Sequence, residues 1–245
     1  MWSRTAIRFI FWWPSEADDT RRDGDGEVDI IRIVIDGKEA SGLEEQTILQ
    51  AAREIGIEIP TLCYSPDLSP SGVCRICAVE VEGSRTLVGA CHTLVAPGMI
   101  IHTHSPKVLA ARRANIELLQ AAHDSVCVTD PTCQQCELHK LCSDLQVRRV
   151  GFRVRQRRSY AIEEISPYVR RDMSKCILCR RCILACAEIA KKNIFAMAYR
   201  GYDSKVVVDC DVTLDTEACR DCGICIDYCP TNALSRPQEA GPQHA

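Results

Sequence analysis

The chain has 245 residues, 17 of them cysteine, and a formal net charge of -3. That length admits one large domain or two to three small ones, and the charge balance gives no reason to expect nucleic acid as a partner. A disulfide scaffold belongs to a short secreted chain; with no secretion signal in view, grouped cysteines read as metal ligands in a reducing, cytoplasmic compartment.

Residues 1–27 read as a tail and linker. Ala6 to Trp13 is apolar but too short to span a bilayer, and no run approaches about 18 apolar residues, so no transmembrane segment is expected. The segment is either a loose terminus or a dock for a partner subunit. Glu16 to Asp29 is acidic, with two glycines, and reads as a flexible linker.

Residues 28–104 form the first predicted domain. Val28 to Ile35 is a strand and Asp36-Gly37 a hairpin turn. Thr47 can cap a helix through Gly56, with Ile48, Ala51, Ala52 and Ile55 on one face. Cys74 to Val81 runs up to a turn at Glu82-Gly83, then Thr86 to Cys91 and Met99 to Thr103 read as strands. A mixed sheet wrapped on one helix is a β-grasp arrangement. Cys63, Cys74, Cys77 and Cys91 are spaced C-x10-C-x2-C-x13-C. Four thiolates gathered by one long loop and a later strand suit a [2Fe–2S] cluster, with a first gap longer than the plant-type C-x4-C-x2-C. Gly72 lets the backbone approach closely, so that N–H groups can bond to sulfur. A zinc site is the alternative.

Pro60-Thr-Leu-Cys63-Tyr64, Gly72-Val-Cys74-Arg-Ile-Cys77-Ala-Val-Glu-Val81 and Ala90-Cys91 resemble the N-terminal iron–sulfur module of the respiratory NADH dehydrogenase large subunit. The same module opens iron-only hydrogenases and forms the small diaphorase subunit of NAD-reducing hydrogenases. The resemblance runs from about Ile30 to Leu234.

Residues 105–168 form a helical and loop region. Pro106 to Ala122 is a strong helix, with Val108, Leu109, Ile116, Leu118 and Leu119 as its apolar positions. Cys127, Cys133, Cys136 and Cys142 follow. The resemblance implies a [4Fe–4S] cluster here, held in the family by H-x3-C-x2-C-x5-C. Cys133, Cys136 and Cys142 keep the C-x2-C-x5-C part. The fourth ligand is either Cys127 or His123; Pro131 can turn the chain so that Cys127 comes back beside Cys133, which favours Cys127. Arg148, Arg149, Arg153, Arg155, Arg157, Arg158, Arg170 and Arg171 crowd the next stretch. They read as a solvated face or as cations that favour the reduced form of nearby anionic clusters.

Residues 169–235 hold two copies of one run. Cys176, Cys179, Cys182 and Cys186 are spaced C-x2-C-x2-C-x3-C, and so are Cys219, Cys222, Cys225 and Cys229, closed by Pro230. This is the spacing of bacterial two-cluster ferredoxins, in which the fourth cysteine of each run serves the other cluster. Cys176, Cys179, Cys182 and Cys229 are therefore assigned to one [4Fe–4S] cube, and Cys219, Cys222, Cys225 and Cys186 to the other. The fourth cysteine is expected to start a helix. Lys205 to Asp209 reads as a short strand, Cys210 as a spare thiol, and residues 236–245 as a disordered tail.

The predicted fold class is α+β: a β-grasp [2Fe–2S] domain, a helical and loop middle region, and a bacterial-type 2[4Fe–4S] ferredoxin domain. One [2Fe–2S] and three [4Fe–4S] clusters use sixteen cysteines. There is no G-x-G-x-x-G after a strand, hence no dinucleotide site, and no nucleophile triad. Redox centres without a substrate pocket make a wire. The resemblance implies a hetero-oligomer, with a flavoprotein NAD(H)-binding subunit on one side and a catalytic redox subunit on the other. That subunit would be of hydrogenase, formate dehydrogenase or benzoyl-CoA-reductase type. The competing expectation is a free-standing polyferredoxin shuttle.

Overall fold

The computed structural model describes residues 30–123, 136–147, 151, 163–208 and 217–237. The N-terminal aromatic segment, the acidic linker, Cys127, Cys133, Cys210, the arginines from Arg148 to Arg158 and the C-terminal tail lie outside the described residues. So does Asp209, the end of the predicted strand.

Alternation decides the first strand, β1 (Ile30–Ile35): Ile31, Ile33 and Ile35 are buried, while Ile30 and Arg32 face out. The Asp36-Gly37 turn, with both residues at positive φ, returns the chain as β2 (Lys38–Leu43), paired antiparallel from Ile35↔Lys38 to Ile30↔Leu43. Thr47 caps α1 (Ile48–Glu54) through a reciprocal pair of bonds with Gln50. Ile48, Leu49, Ala51 and Ala52 of that helix are fully buried against the sheet. Strands β3 (Ala78–Val81), β4 (Val88–Gly89) and β5 (Ile100–His102) complete a five-stranded sheet of order β2-β1-β5-β3-β4. β5 runs parallel to β1 and antiparallel to β3, the mixed β-grasp layout. The strand expected over Thr86 to Cys91 is shorter than predicted: only Val88 and Gly89 pair, and Cys91 lies in the turn that follows.

Ser105 caps α2 (Pro106–Ala122), and its hydroxyl also donates to Glu80 of β3 at 2.6 Å. The buried stripe of α2 is Val108, Arg112, Ile116 and Gln120, so two of its four members are polar, and Leu118 is exposed. Cys136 precedes α3 (Glu137–Asp144), whose Leu138, Leu141 and Cys142 are buried.

The last region begins with β6 (Glu163–Ser166) and β7 (Val169–Arg171). The first cubane run then leads into α4 (Arg181–Leu184), continued by a π turn over Ala185–Ile189. The helix thus starts at the residue before Cys182, and Cys186 lies within its π turn rather than at its head. A two-stranded hairpin, β8 (Phe195–Ala198) and β9 (Lys205–Val208), follows. The second run contains α5 (Ile224–Asp227), with Cys229 just past its end, and β10 (Leu234–Ser235) pairs back onto β7. That pairing closes the two runs onto each other. No described helix is long and apolar enough to cross a membrane.

Candidate metal centres

The loop from Leu62 to Cys77 brings four thiols together in two touching pairs. Cys74 donates to Cys63, which outweighs burial and pulls Cys63 well below the ordinary thiol range; the Ser71 hydroxyl and the N–H groups of Cys74 and Val73 act in the same direction. The Cys77–Cys91 pair behaves alike: the bond from Cys91 lowers Cys77, again against burial. Cys74 and Cys91 are pushed up, each first by its paired thiol and then by burial. All four are buried. Gly72 sits at φ +63 beside the His92 ring, and a Cβ there would stand 3.1 Å from His92 Nδ1. His92 Nδ1 in turn lies 3.4 Å from Cys91 Sγ, and Arg75 Nη1 lies 3.4 Å from His92 Nε2.

The two cubane runs have the same backbone signature. In each, the residues two and four places after the first cysteine have positive φ: Leu178 (56°) and Arg180 (67°), then Asp221 (37°) and Gly223 (66°). Alternating hand along a loop turns successive N–H groups to one side, a concavity suited to an anion. One cavity is rimmed by Cys176, Cys179, Cys182 and Cys229, with Arg171 and Arg180 in its wall. A second is rimmed by Cys186, Cys219, Cys222 and Cys225, with Lys192 in its wall. Each cavity thus takes three rim thiols from one run and one from the other. Burial pushes Cys179 and Cys225 up to about 12, where metal binding must release the proton. The N–H of Leu178 donates to Cys176 Sγ at 3.4 Å, and that of Ile194 to Cys186 Sγ at 3.3 Å. Among the described residues no three His, Cys, Asp or Glu side chains close on a point as a single ion requires. Four-thiol rims, inward N–H groups and apolar walls fit iron–sulfur clusters, whose thiolates bind different irons.

Of the middle set, Cys136 and Cys142 are buried together, and burial, then the neighbouring Cys136, pushes Cys142 up to about 11. His123 is buried at the C-terminal end of α2. The sites share walls. Cys63 and Cys74 of the first set, Cys136 and Cys142 of the middle set, and Cys179 of the first cavity lie in one hydrophobic cluster with Leu62, Ile76 and Ile116. Cys186 and Cys225 of the second cavity pack in another, with Cys176, Cys182 and Cys229 of the first against it. Sequence reasoning missed Arg112 and Arg181, two buried cations set among these thiols; nothing in the local pattern separates them from surface arginines.

Residues 29–106 match the family model described as a 2Fe-2S iron-sulfur cluster binding domain. Residues 166–235 match the NADH-quinone oxidoreductase subunit 3 ferredoxin-like domain. The chain is 37% identical over 211 residues to the NADP-reducing hydrogenase subunit HndD of Solidesulfovibrio fructosivorans, covering 84% of this chain and 36% of that one. It is 34% identical over 212 residues to the alpha subunit of the NADPH-Fe(3+) oxidoreductase of Geobacter sulfurreducens, covering 85% and 24%. The chain thus spans about a third or less of the length of these curated relatives. A chain of the crystal structure of NAD+-reducing [NiFe]-hydrogenase in the H2-reduced state superposes with a TM-score of 0.76 at 26% identity, covering 88% of this chain and 90% of that one. These likenesses bear out the resemblance drawn from the cysteine motifs. The chain carries a [2Fe–2S] ferredoxin-like domain followed by a [4Fe–4S] ferredoxin-like domain of the NADH-quinone oxidoreductase subunit 3 kind.

Proposed function

We propose that this chain is the iron–sulfur relay of a cytoplasmic, multi-subunit oxidoreductase, carrying single electrons between a flavin/NAD(H) subunit and a catalytic subunit. The observation that carries the reading is the continuity of thiol-lined sites. Cysteines of the first, middle and third sets share one packed cluster, and the third set also packs against the fourth. When bound, iron–sulfur clusters supply one-electron redox sites whose potentials follow hydrogen bonding, charge and burial.

The chain's own residues do the rest. Cys63 and Cys74 would hold one iron of the [2Fe–2S] cluster, and Cys77 and Cys91 the other, as their pairing suggests. Cys127, Cys133, Cys136 and Cys142 would hold the middle [4Fe–4S] cluster. Cys176, Cys179, Cys182 and Cys229 would hold the third, and Cys219, Cys222, Cys225 and Cys186 the fourth. Backbone N–H groups of Val73, Cys74, Leu178 and Ile194 donate to sulfur, and apolar walls keep water away. The likeness to subunits of an NADP-reducing hydrogenase, an NADPH-Fe(3+) oxidoreductase and an NAD+-reducing hydrogenase supports a place inside a hetero-oligomer. It also puts a hydrogenase or a related reductase first among the catalytic partners.

The test is purification of the native complex without oxygen. About 14 iron atoms per chain are expected, from one two-iron and three four-iron clusters. The chain should co-purify with a flavoprotein, and NADH should reduce its clusters only when that flavoprotein is present. A count of about 8 with stoichiometric zinc, or NADH oxidation by the chain alone, overturns the reading.

A further inference from the structure

Arg181 stands between Cys179 and Cys182, and its guanidinium joins three cysteine loops. Nη1 donates to Glu137 Oε1 at 2.7 Å and Nη2 to Glu137 Oε2 at 3.1 Å. Nη2 also donates to the backbone oxygen of Tyr64 at 2.7 Å. Glu137 directly follows Cys136 and Tyr64 directly follows Cys63. Glu137 is anchored a second time, its N–H donating at 2.8 Å to the oxygen of Pro230, the residue after Cys229. The Arg181 N–H itself bonds to the Cys179 thiol. One residue thus ties the immediate neighbours of first-set and middle-set thiols to its own loop in the third set.

The ion pair is lopsided. The Arg181 side chain is 10% exposed, whereas that of Glu137 is 45% exposed and lines a surface groove with Arg53 and Lys140. The cation faces the cysteine loops and the carboxylate faces water, so the carboxylate's field is screened more than the guanidinium's. A simple domain clamp would not need this position. The same junction is already held by Ser69 N–H on Glu188 at 2.8 Å, Ser71 Oγ on the Cys179 oxygen at 3.2 Å and Tyr228 Oη on Asp67 at 3.1 Å. The geometry also asks for a fork: two parallel bonds to one carboxylate and a third to an oxygen at the side, which an ammonium group cannot reproduce.

We propose that Arg181 is a shared positioning residue of three cluster sites, setting the spacing of their loops and favouring, by its buried charge, the reduced state at each. This rests on the relay function proposed above.

The experiment uses the full chain, cluster-loaded under argon, reduced with dithionite through mediator dyes and read by EPR. With Arg181→Gln, the reduced-to-oxidised ratio at a fixed potential should fall about tenfold at two or more sites, which is ~59 mV for a one-electron couple. Glu137→Gln removes the opposing anion with little change of shape and should move the ratio upward. Arg181→Lys keeps the charge but not the fork, so it should restore the ratio fully at the third site and only in part at the [2Fe–2S] site, where the Tyr64 bond is lost as well. Unmoved potentials in Arg181→Gln beside a lowered urea midpoint would reduce the residue to a clamp and overturn the proposal, as would a shift confined to one site. Should Arg181→Gln fail to take up iron, Glu137→Gln decides, and no upward shift there overturns it. Loss of all cluster signals from the unmodified chain would overturn the relay function itself; unmodified signals with unmoved potentials overturn only the role of Arg181.

Discussion

Arg112 donates from Nη2 to the backbone oxygen of Ala78 at 2.9 Å, from a side chain on a residue only 1% exposed. Ala78 follows Cys77, so a buried cation lies against the [2Fe–2S] loop. Burial lowers Arg112 to about 10, opposed by Cys77 and Asp36. A base lowered on folding contributes stability only at pH above its unfolded value and loses it as pH falls through about 10. At neutral pH the charge is therefore a burden on the apo chain, one that an anionic cluster relieves. Arg112→Met should destabilise the cluster-loaded chain more than the apo chain, by about 1 kcal/mol or more, using the worth of a charged hydrogen bond as the scale. Urea unfolding of both forms checks this. Equal losses would leave Arg112 as packing alone.

Cys186 and Cys229 should each serve the cavity of the other run. Cys186→Ser should lose the signal of the cluster proposed at Cys219, Cys222 and Cys225 while sparing that proposed at Cys176, Cys179 and Cys182, because Cys186 rims the second cavity. Cys229→Ser should do the reverse. EPR of the two variants separates the outcomes; loss of the cluster belonging to a variant's own run would contradict the grouping.

Much of this was readable from the sequence, and the remainder has physical reasons. The β-grasp sheet follows from alternation in β1 and the capped α1, both local signals. The repeated spacing already pointed Cys186 and Cys229 each toward the other run, whose cavity it rims. The β6-β7-β10 sheet was not predicted, because strands of two to four residues carry no usable period, and β10 pairs with β7 across some sixty residues of chain. Arg112 and Gln120 hid in the stripe of α2 because polar residues are assigned outward by default. Arg181 looked like any surface arginine, since its partners Tyr64 and Glu137 come from other loops. The helix start at Arg181 rather than Cys186 escaped because the turn before it needs a left-handed Arg180, which composition does not announce.

Arg180 and Gly223 occupy matching places in the two runs, with φ of 67° and 66°. Only glycine adopts that region without strain. Arg180→Gly should therefore raise the stability of the loaded chain by about 1 kcal/mol, and Gly223→Ala should lower it by about as much. The alanine methyl would meet Arg236 Nη2 at 2.6 Å, but that is the end of a flexible side chain and can move. Urea midpoints under argon measure both. Stabilisation in neither variant's expected sense would mean that the Arg180 side chain contributes more than its backbone strain costs.

Asp36 ties the β1–β2 turn to the end of β5. Its Oδ1 accepts from the Thr103 N–H at 2.7 Å and its Oδ2 from the Thr103 hydroxyl. Burial pushes the carboxyl up, but the Thr103 bonds and His104 outweigh it and hold the group below its ordinary 3.8. A lowered acid contributes stability that is present above 3.8 and lost as pH falls through the folded value. Asp36→Asn should therefore cost about 1 kcal/mol at neutral pH and progressively less in acid. A pH-independent difference in urea midpoint between the two chains would show that the charge is not involved.

The middle site yields the last prediction. Its described thiols, Cys136 and Cys142, flank the first turns of α3 and are buried together, so the site faces the core shared with Cys63, Cys74 and Cys179. Two residues compete to complete the set with Cys133. His123 ends α2, with its N–H bonded to the oxygens of Leu119 at 3.1 Å and Gln120 at 3.2 Å, and the residue is 2% exposed. Cys127 is separated from Cys133 by five residues, against nine for His123, and Pro131 between them can turn the chain back. Thiolate is also the usual cubane ligand, and an all-thiolate cube carries one more negative charge than a histidine-ligated one, so its potential should be lower. Cys127→Ala should therefore lose about four iron atoms per chain and one EPR signal, while His123→Ala should keep both. His123→Ala should still lower the urea midpoint, since it empties a packed site. Retention of the cluster in Cys127→Ala with its loss in His123→Ala would reverse the assignment and predict the higher potential instead.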